Sequence, residues 1–435
     1  MADHNRPRLA VVYDYGAASP SQIAKGLRDI ADLRFVVPRS EHVRSVLPVL
    51  EQFAPVTMLD RATNRGALPE RADGILTFSE RMLPATARLA EQLDLRFHTL
   101  DCVTGLTDKQ RQRALFAEAG IDSVRHRIAS DPAGLTEALE HVGVPCVVKP
   151  RRGEGSRNAY PVHDDDAATA VIQRLTDGWP LDPASGQPMV MIVEEFLSGM
   201  PTKAGIGDYV SVESAVVEGI ATHFAVTGKF ALAQPFRETG QFWPALVDCR
   251  LAEEIVALTD AALSALSVRS GICHTEIKLT PSGPRLIEVN GRLGRDIAEL
   301  AQRCHGTDLI ALAGKIALEH PVVPSWPHPK KVYFQFHHPS PPDADRITAV
   351  AGQQSVEAMA GVASYSRVPL PAEVSGVSTS HFDALRGVAD SHGAMLELID
   401  RASRALSFWF RGPSPGGGEA RVHQARGSEL RLLMG

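Results

Sequence analysis

Glu276, Glu288 and Asn290 flank one short turn. His274-Thr275-Glu276-Ile277-Lys278-Leu279 precedes it, and Arg285-Leu286-Ile287-Glu288-Val289-Asn290 follows it. Each run alternates apolar and polar residues, which predicts two strands. The five residues between them, Thr280-Pro281-Ser282-Gly283-Pro284, are turn formers, so the pair is predicted to be a hairpin. Glu288 and Asn290 lie two apart and share a face. With the turn centred on Ser282, Glu276 faces Glu288. Two carboxylates at that separation repel, and a cation between them relieves the repulsion. Two carboxylates and an amide oxygen suit a hard ion such as magnesium, held together with phosphate oxygens. The plainer account is a solvated strand face with Lys278 between the acids. It gives no purpose to two opposed acids plus Asn290, so a metal–nucleotide site is the preferred reading.

Other residues gain meaning from that site. Lys149 closes a predicted strand and precedes Arg151-Arg152-Gly153-Glu154-Gly155-Ser156-Arg157. Glycine lets a backbone approach phosphates, and N–H groups with a lysine neutralise them. The same segment also reads as an ordinary hairpin loop, and it lacks the Gly-Lys-Ser/Thr of a P-loop. Lys109 sits at a predicted helix start and alone reads as a surface charge. Glu194 ends a strand before Phe196 and Leu197; an acid there accepts from an adenine amine, or simply faces water. Arg292, two past Asn290, is placed to meet charge on a transferred phosphoryl group. The loop Phe236–Pro244, with Glu238, lines a pocket or covers an apolar edge. His274 shares the face of Glu276, where a lone histidine is more often structural than catalytic.

The elements that must position these residues follow from pattern. Residues 8–13, 35–37 and 74–78 read as strands alternating with helices at 21–33 and 82–93, which implies a parallel α/β sheet. This first lobe covers 1–103. A helix over 107–119 is predicted with Thr107 as its N-cap and Gly120 past its end. Strands at 145–150, 190–196, 209–217 and 221–227, with helices at 164–176 and 251–266, give a second region of antiparallel character. Its two parts are 104–190, with the glycine-rich loop, and 191–320, with the hairpin. Helices at 296–304 and 309–318 follow. The proline-rich stretch 321–329 marks a boundary to a C-terminal lobe, 321–410, with a strand at 332–336 and a helix at 396–406. From Arg411 the hydrophobic period is lost, and 411–435 reads as a flexible tail.

Composition excludes several classes. The 435 residues exceed one hydrophobic core, so two to four lobes are expected. With 44% apolar and 22% charged residues the chain reads as soluble and globular. A net charge of −6 gives no support for a nucleic-acid or anionic-membrane surface. No run is long enough to span a bilayer, and the opening residues do not read as a secretory signal. The five scattered cysteines read as buried thiols in a reducing cytoplasm.

Taken in order, Asp108-Lys109, Val148-Lys149-Pro150 with its loop, Val193-Glu194-Glu195-Phe196-Leu197-Ser198-Gly199, and Glu276 with Glu288-Val289-Asn290-Gly291-Arg292 resemble the ATP-grasp superfamily of carboxylate–amine ligases. His274-Thr275-Glu276, Phe236–Pro244 and Arg292-Leu293-Gly294 carry a narrower likeness to the L-amino acid ligases. The resemblance spans roughly residues 8–320 and weakens toward 410. It implies an ATP-grasp fold of α/β and α+β character: a parallel N-terminal lobe, a two-lobed ATP-binding centre and a small C-terminal lobe. It implies that Lys109 and Lys149 contact ATP phosphates beneath a loop at Gly153, Gly155 and Ser156. Glu194 would accept the adenine amine, and main chain at Phe196 and Leu197 would read the ring edge. Asp208 or Glu213 would take the ribose. Glu276, Glu288 and Asn290 would hold one or two magnesium ions, with manganese as a substitute, and Arg292 the acyl-phosphate end. Glu238, His274, Gly294 and Arg295 would meet the substrates, a small carboxylate and an amine, with amino acids the expected pair. Glu154 and Asn158 depart from the small residues usual in the loop. A homodimer is suggested by analogy alone. Other ATP-grasp ligases, of the biotin-carboxylase or purine-biosynthesis type, and a non-catalytic ATP-binding module are the alternatives.

Overall fold

The structure, a computed structural model, describes residues 6–59, 72–182, 185–322, 329–412 and 421–434. The first lobe is built on the predicted parallel sheet. Arg8–Val12 lies between Asp32–Val37 and Gly74–Leu76, and the short strand Val56–Met58, absent from the sequence reading, adds an edge. The central strands bury near-continuous apolar runs because helices cover both faces. Ser19 starts the helix Pro20–Leu27 with a capping box, exchanging bonds with Gln22.

The small lobe places the lysine strand beside the acid strand. Cys146–Pro150 runs antiparallel to Met191–Glu195, with Val147 opposite Glu194. That register sets Lys149 diagonally across from Glu194. Lys109 opens the helix Lys109–Glu118, but the cap is Asp108, not Thr107. The Asp108 carboxylate accepts from Gln110 N at 3.2 Å and Arg111 N at 3.4 Å. Thr107 ends the preceding helix, Leu100–Thr107, and its hydroxyl donates to the Val103 carbonyl at 2.8 Å. A carboxylate at the cap also suits the positive helix end.

An eight-stranded antiparallel sheet carries the hairpin of Glu276 and Glu288 at one edge. Ser270–Thr280 and Gly283–Asn290 turn through Pro281 and Ser282 alone. Thr280 pairs with Gly283, so the turn is tighter than the five residues expected, and its centre is shifted. Ile277 pairs with Leu286 and Glu276 with Glu288, which leaves Ile287 as the extra residue of a β-bulge. The bulge restores the register that places the two glutamates opposite each other. The expected pairing is therefore present, but it is produced by two compensating irregularities.

The sheet continues past residue 320, because Gly240–Trp243 pairs with Val332–Phe336, which pairs with Asp383–Ala389. The boundary expected near 320 thus falls between strands of one sheet. Phe242 opposite Phe334, both fully buried, explains the continuity. A separate four-stranded sheet packs Phe408 and Phe410 against the helix His392–Ala405. Its edge strand, Arg421–Arg426, pairs with Ser407–Gly412, and the helical turns beyond it bury Leu430. The reading of 411–435 as a tail without structure therefore fails at its far end. The alternation there is weak because an edge strand keeps polar residues facing water. Residues 323–328 of the proline-rich stretch and 413–420 of that segment lie outside the described residues. Among the described residues, no helix is long and apolar enough to cross a membrane.

Candidate active site

One cleft between the small lobe and the large sheet is lined by Lys109, Lys149, the loop Gly153–Arg157, Glu194, Phe196, Leu197, Glu238, Glu276 and Glu288. Residues from across nearly 180 positions of sequence thus converge on one cleft. Lys109 Nζ lies 3.1 Å from Glu288 and donates to the Gly153 carbonyl at 3.0 Å. Burial opposes charge on Lys109, yet Glu288 keeps its pKa above the ordinary lysine value. Lys149 Nζ lies 2.7 Å from Glu194, and burial lowers its pKa while Glu194 opposes that shift.

Glu194 is not turned toward a free ring edge. Arg113 grips both its oxygens, each at 3.0 Å, and also donates to the main-chain carbonyls of Leu286 and Ile287 at 2.8 Å. Burial raises the Glu194 pKa, but Arg113 and Lys149 outweigh it and hold the carboxyl well below its usual range. The carboxylate therefore orients Lys149. Arg113 escaped the sequence reading; the signal available was its place one turn from Lys109, at i+4 on the same helix. The Phe196 N–H is bonded to the Pro145 carbonyl at 3.0 Å, so the Phe196 carbonyl is the main-chain group there suited to an amine.

At the hairpin, Asn290 Nδ2 donates to Glu288 at 3.3 Å, and Arg292 reaches Asn290 Oδ1 at 3.5 Å. Burial would raise the Glu288 pKa; Lys109 and Lys149 bring it down to about 2. Glu276 and Glu288 are each about one-fifth exposed, at 18% and 22% of their side chains, so their oxygens open to the cleft. Two partly open carboxylates and an amide oxygen form an oxygen-only donor set, which fits magnesium. Arg292 also pairs with Glu80 of the first lobe at 3.3 Å. Burial pushes Glu80 up to about 7, with Arg292 opposing. Glu80 was missed, although it follows the C-terminal end of a parallel strand, where open α/β sheets place ligands.

The expected ribose residues separate clearly. Asp208 receives Lys278 Nζ at 2.6 Å and stays one-third exposed. Glu213 is fully buried and engaged by His274 Nδ1 at 2.8 Å, Ser211 at 2.8 Å and Thr227 at 3.2 Å. Glu213 is thus turned inward and engaged by its neighbours, whereas Asp208 keeps an open side.

The other expected substrate residues form a second corner. His274 bridges Glu213 and Glu276, lying 3.2 Å from the latter. Gly294 passes so close to His274 that a Cβ there would lie 2.5 Å from its ring. Arg295 bonds the Tyr15 hydroxyl from the first lobe and stacks 5.0 Å from its ring centre. Tyr15 also faces Arg81 and Arg157, both 5.9 Å from its ring. Glu154, the departure noted in the loop, pairs with Arg81 at 2.9 Å. The unusual acid therefore ties the glycine-rich loop to the first lobe.

Burial lowers the His274 pKa, but Glu213 and Glu276 raise it to about 9 overall. A raised folded-state value means that the stabilisation is complete below the unfolded value of about 6.5 and is lost as pH rises through 9. Melting temperature is expected to fall across that window, and Glu213→Gln should flatten the fall. An unchanged slope in the variant would sink the assignment.

Residues 142–299 match the profile of the ATP-grasp domain. The chain is 26% identical over 284 residues to alanine–anticapsin ligase of Bacillus subtilis (strain 168), covering 63% of this chain and 56% of that protein. It is 33% identical over 98 residues to carnosine synthase 1 of Gallus gallus, covering 22% and 10%. The chain spans about half the length of the Bacillus relatives it matches. Among solved structures, L-amino acid ligase from Bacillus licheniformis superposes with a TM-score of 0.72 at 17% identity, covering 92% of this chain and 98% of that one. N5-carboxyaminoimidazole synthase of Aspergillus clavatus, in complex with ADP and 5-aminoimidazole ribonucleotide, gives a TM-score of 0.67 at 13% identity over 92% and 99%. The fold is that of the ATP-grasp enzymes.

Proposed function

We propose that this protein, whose residues 142–299 form an ATP-grasp domain, is an ATP-dependent carbon–nitrogen ligase. It joins the carboxylate of one small molecule to the amine of another, with amino acids as the substrates, and releases ADP and phosphate. The observation that carries this reading is the convergence of Lys109, Lys149, the opposed Glu276 and Glu288, and Arg292 beside Asn290.

A substrate carboxylate attacks the γ-phosphate of ATP to give an acyl phosphate, and the amine then displaces phosphate. Both partners of the first step are anionic, so their approach needs cationic surroundings. Lys109 and Lys149 supply two charges, each steered by a carboxylate. Glu276, Glu288 and Asn290 would hold magnesium, which when bound neutralises phosphate charge. Arg292 lies where charge on the acyl phosphate would be met. The loop Gly153–Arg157, tied down through Glu154 and Arg81, excludes water that would hydrolyse the intermediate. Adenine recognition falls to main chain at Phe196 and Leu197, with Glu194 acting through Lys149. The experiment is ADP release with amino acids offered in pairs, beside a bicarbonate arm. Release only with bicarbonate would turn the reading toward a carboxylating enzyme, and binding without turnover toward a non-catalytic module.

The loop tie has its own expected result. Glu154→Gln should raise the KM for ATP by roughly 3–5-fold, as a partly buried ion pair worth about 1 kcal/mol allows. An unchanged KM would mean that the loop closes without it.

A further inference from the structure

Asp296, His337 and His381 come from three separate segments and face one gap beside the cleft. Asp296 Oδ2 lies 3.9 Å from His337 Nε2 and 4.0 Å from His381 Nδ1. These separations exceed a hydrogen bond. The far nitrogen of each ring is anchored to main chain: His337 Nδ1 to the Asp383 carbonyl, and His381 Nε2 to the Glu238 carbonyl at 3.2 Å. A carbonyl only accepts, so each ring carries its proton on that side. In the neutral ring the nitrogen turned to Asp296 is then a lone pair. The rings stack 3.8 Å apart and 2° from parallel, so two imidazolium charges would face each other. Burial, with the charges of His337 and Arg295, holds His381 well below its ordinary value. Asp296 occupies the N-cap of the helix Ile297–His305 at a φ of 61°, yet its carboxylate makes no capping bond. Three acceptors thus surround a space that asks for a donor.

Geometry selects the donor. For a nitrogen about 2.9 Å from each acceptor, separations of 3.9 and 4.0 Å subtend roughly 85°, within reach of the three hydrogens of an ammonium. For zinc at about 2.1 Å, the same separations demand roughly 140°, far from tetrahedral. The gap adjoins the cleft through Glu238. Glu238, whose carbonyl anchors His381, lines the cleft within electrostatic reach of Lys229, His274, Arg295 and Arg292.

We propose that Asp296, His337 and His381 form an ammonium subsite, which receives a primary ammonium group carried by the carboxylate substrate. The proposal rests on the ligase reading. It makes the enzyme select carboxylates by a second, positive group.

The test uses three carboxylates of equal chain length: hexanoate, 2-aminohexanoate and 6-aminohexanoate, with hydroxylamine as the common acceptor and ADP release as the readout. One ammonium-bearing compound should exceed hexanoate in kcat/KM by about tenfold or more, as a charge-assisted bond allows. Preference for the 2-amino compound assigns an α-ammonium, and preference for the 6-amino compound a side-chain ammonium. In Asp296→Asn the ratio should collapse to within about threefold through KM, and His381→Phe serves if that variant does not fold. Equal turnover of all three by the wild type overturns the subsite and leaves the ligase reading standing. So does one-to-one zinc binding that His381→Phe abolishes. If none of the three is turned over, the paired amino-acid assay judges the ligase reading. Calorimetry of 2-aminohexanoate and 6-aminohexanoate against hexanoate, with ATP present, then decides the subsite alone: tighter binding of either amine supports it and equal binding overturns it.

Discussion

Glu288→Gln is expected to lower ADP release by about 10²–10³-fold, the loss typical when one charge-stabilising group leaves a preorganised site. Glutamine keeps the shape of the side chain and removes its charge. The loss is specific because Glu288 is ionised throughout the neutral range, held down to about 2 against burial by Lys109 and Lys149. It faces Glu276 across the hairpin, where the proposed function makes it an oxygen donor, and it positions Lys109 at 3.1 Å. Both functions fail together in the variant. Stability should fall as well, because the depressed Glu288 pKa marks an ionised carboxylate that stabilises the fold, and glutamine leaves the buried Lys109 without its partner. A cooperative unfolding transition that stays above the assay temperature, with turnover lost, separates a functional defect from misfolding. Activity within threefold of wild type would remove Glu288 from the site.

Arg113→Leu should carry the largest cost in stability, about 3–5 kcal/mol, because it leaves a buried charge without its partner. Arg113 and Glu194 are each only 4% exposed. The guanidinium also satisfies the Leu286 and Ile287 carbonyls, so it joins the acid strand of the small lobe to the bulge of the Glu276–Glu288 hairpin. Losing it would strand Glu194 beside Lys149 and loosen the bulge that sets Glu276 against Glu288. Denaturant unfolding of the single variants and of Arg113→Leu with Glu194→Leu checks this. The double variant should recover part of the loss, since the two most deeply buried partners leave together, and the recovery stays incomplete because Lys149 loses its carboxylate. A single variant within about 0.5 kcal/mol of wild type would show that the pair is not coupled as described.

The two variants also mark what local pattern can convey. Alternation in His274–Leu279 and Arg285–Asn290 places Glu276, Glu288 and Asn290 on one face, because a strand repeats every two residues. Lys149 at a strand end and the glycines after it are legible for the same local reason. The C-terminal strand Arg421–Arg426 was not, since an edge strand hides little of its surface. Glu194 shows the other limit. Its position at the end of a strand was evident, but its role depended on a helix 81 residues earlier in the chain.

By itself the sequence determined which residue types share the hairpin and its flanks: two acids and an amide at hairpin spacing, two lysines ahead of them and an arginine after. Those depend on residue type and on backbone periodicity, which act over a few residues. Tertiary structure alone decided how the set is tuned. The Ile287 bulge corrected the register of the glutamates. Arg113 claimed Glu194, Glu213 withdrew behind His274, and Tyr15 met Arg295 across 280 residues. Asp296, His337 and His381 likewise became neighbours only once the large sheet ran on past residue 320. Charge and hydrogen bonding act through space over a few ångströms, and which groups come within that reach is set by packing, which periodicity along the chain does not encode.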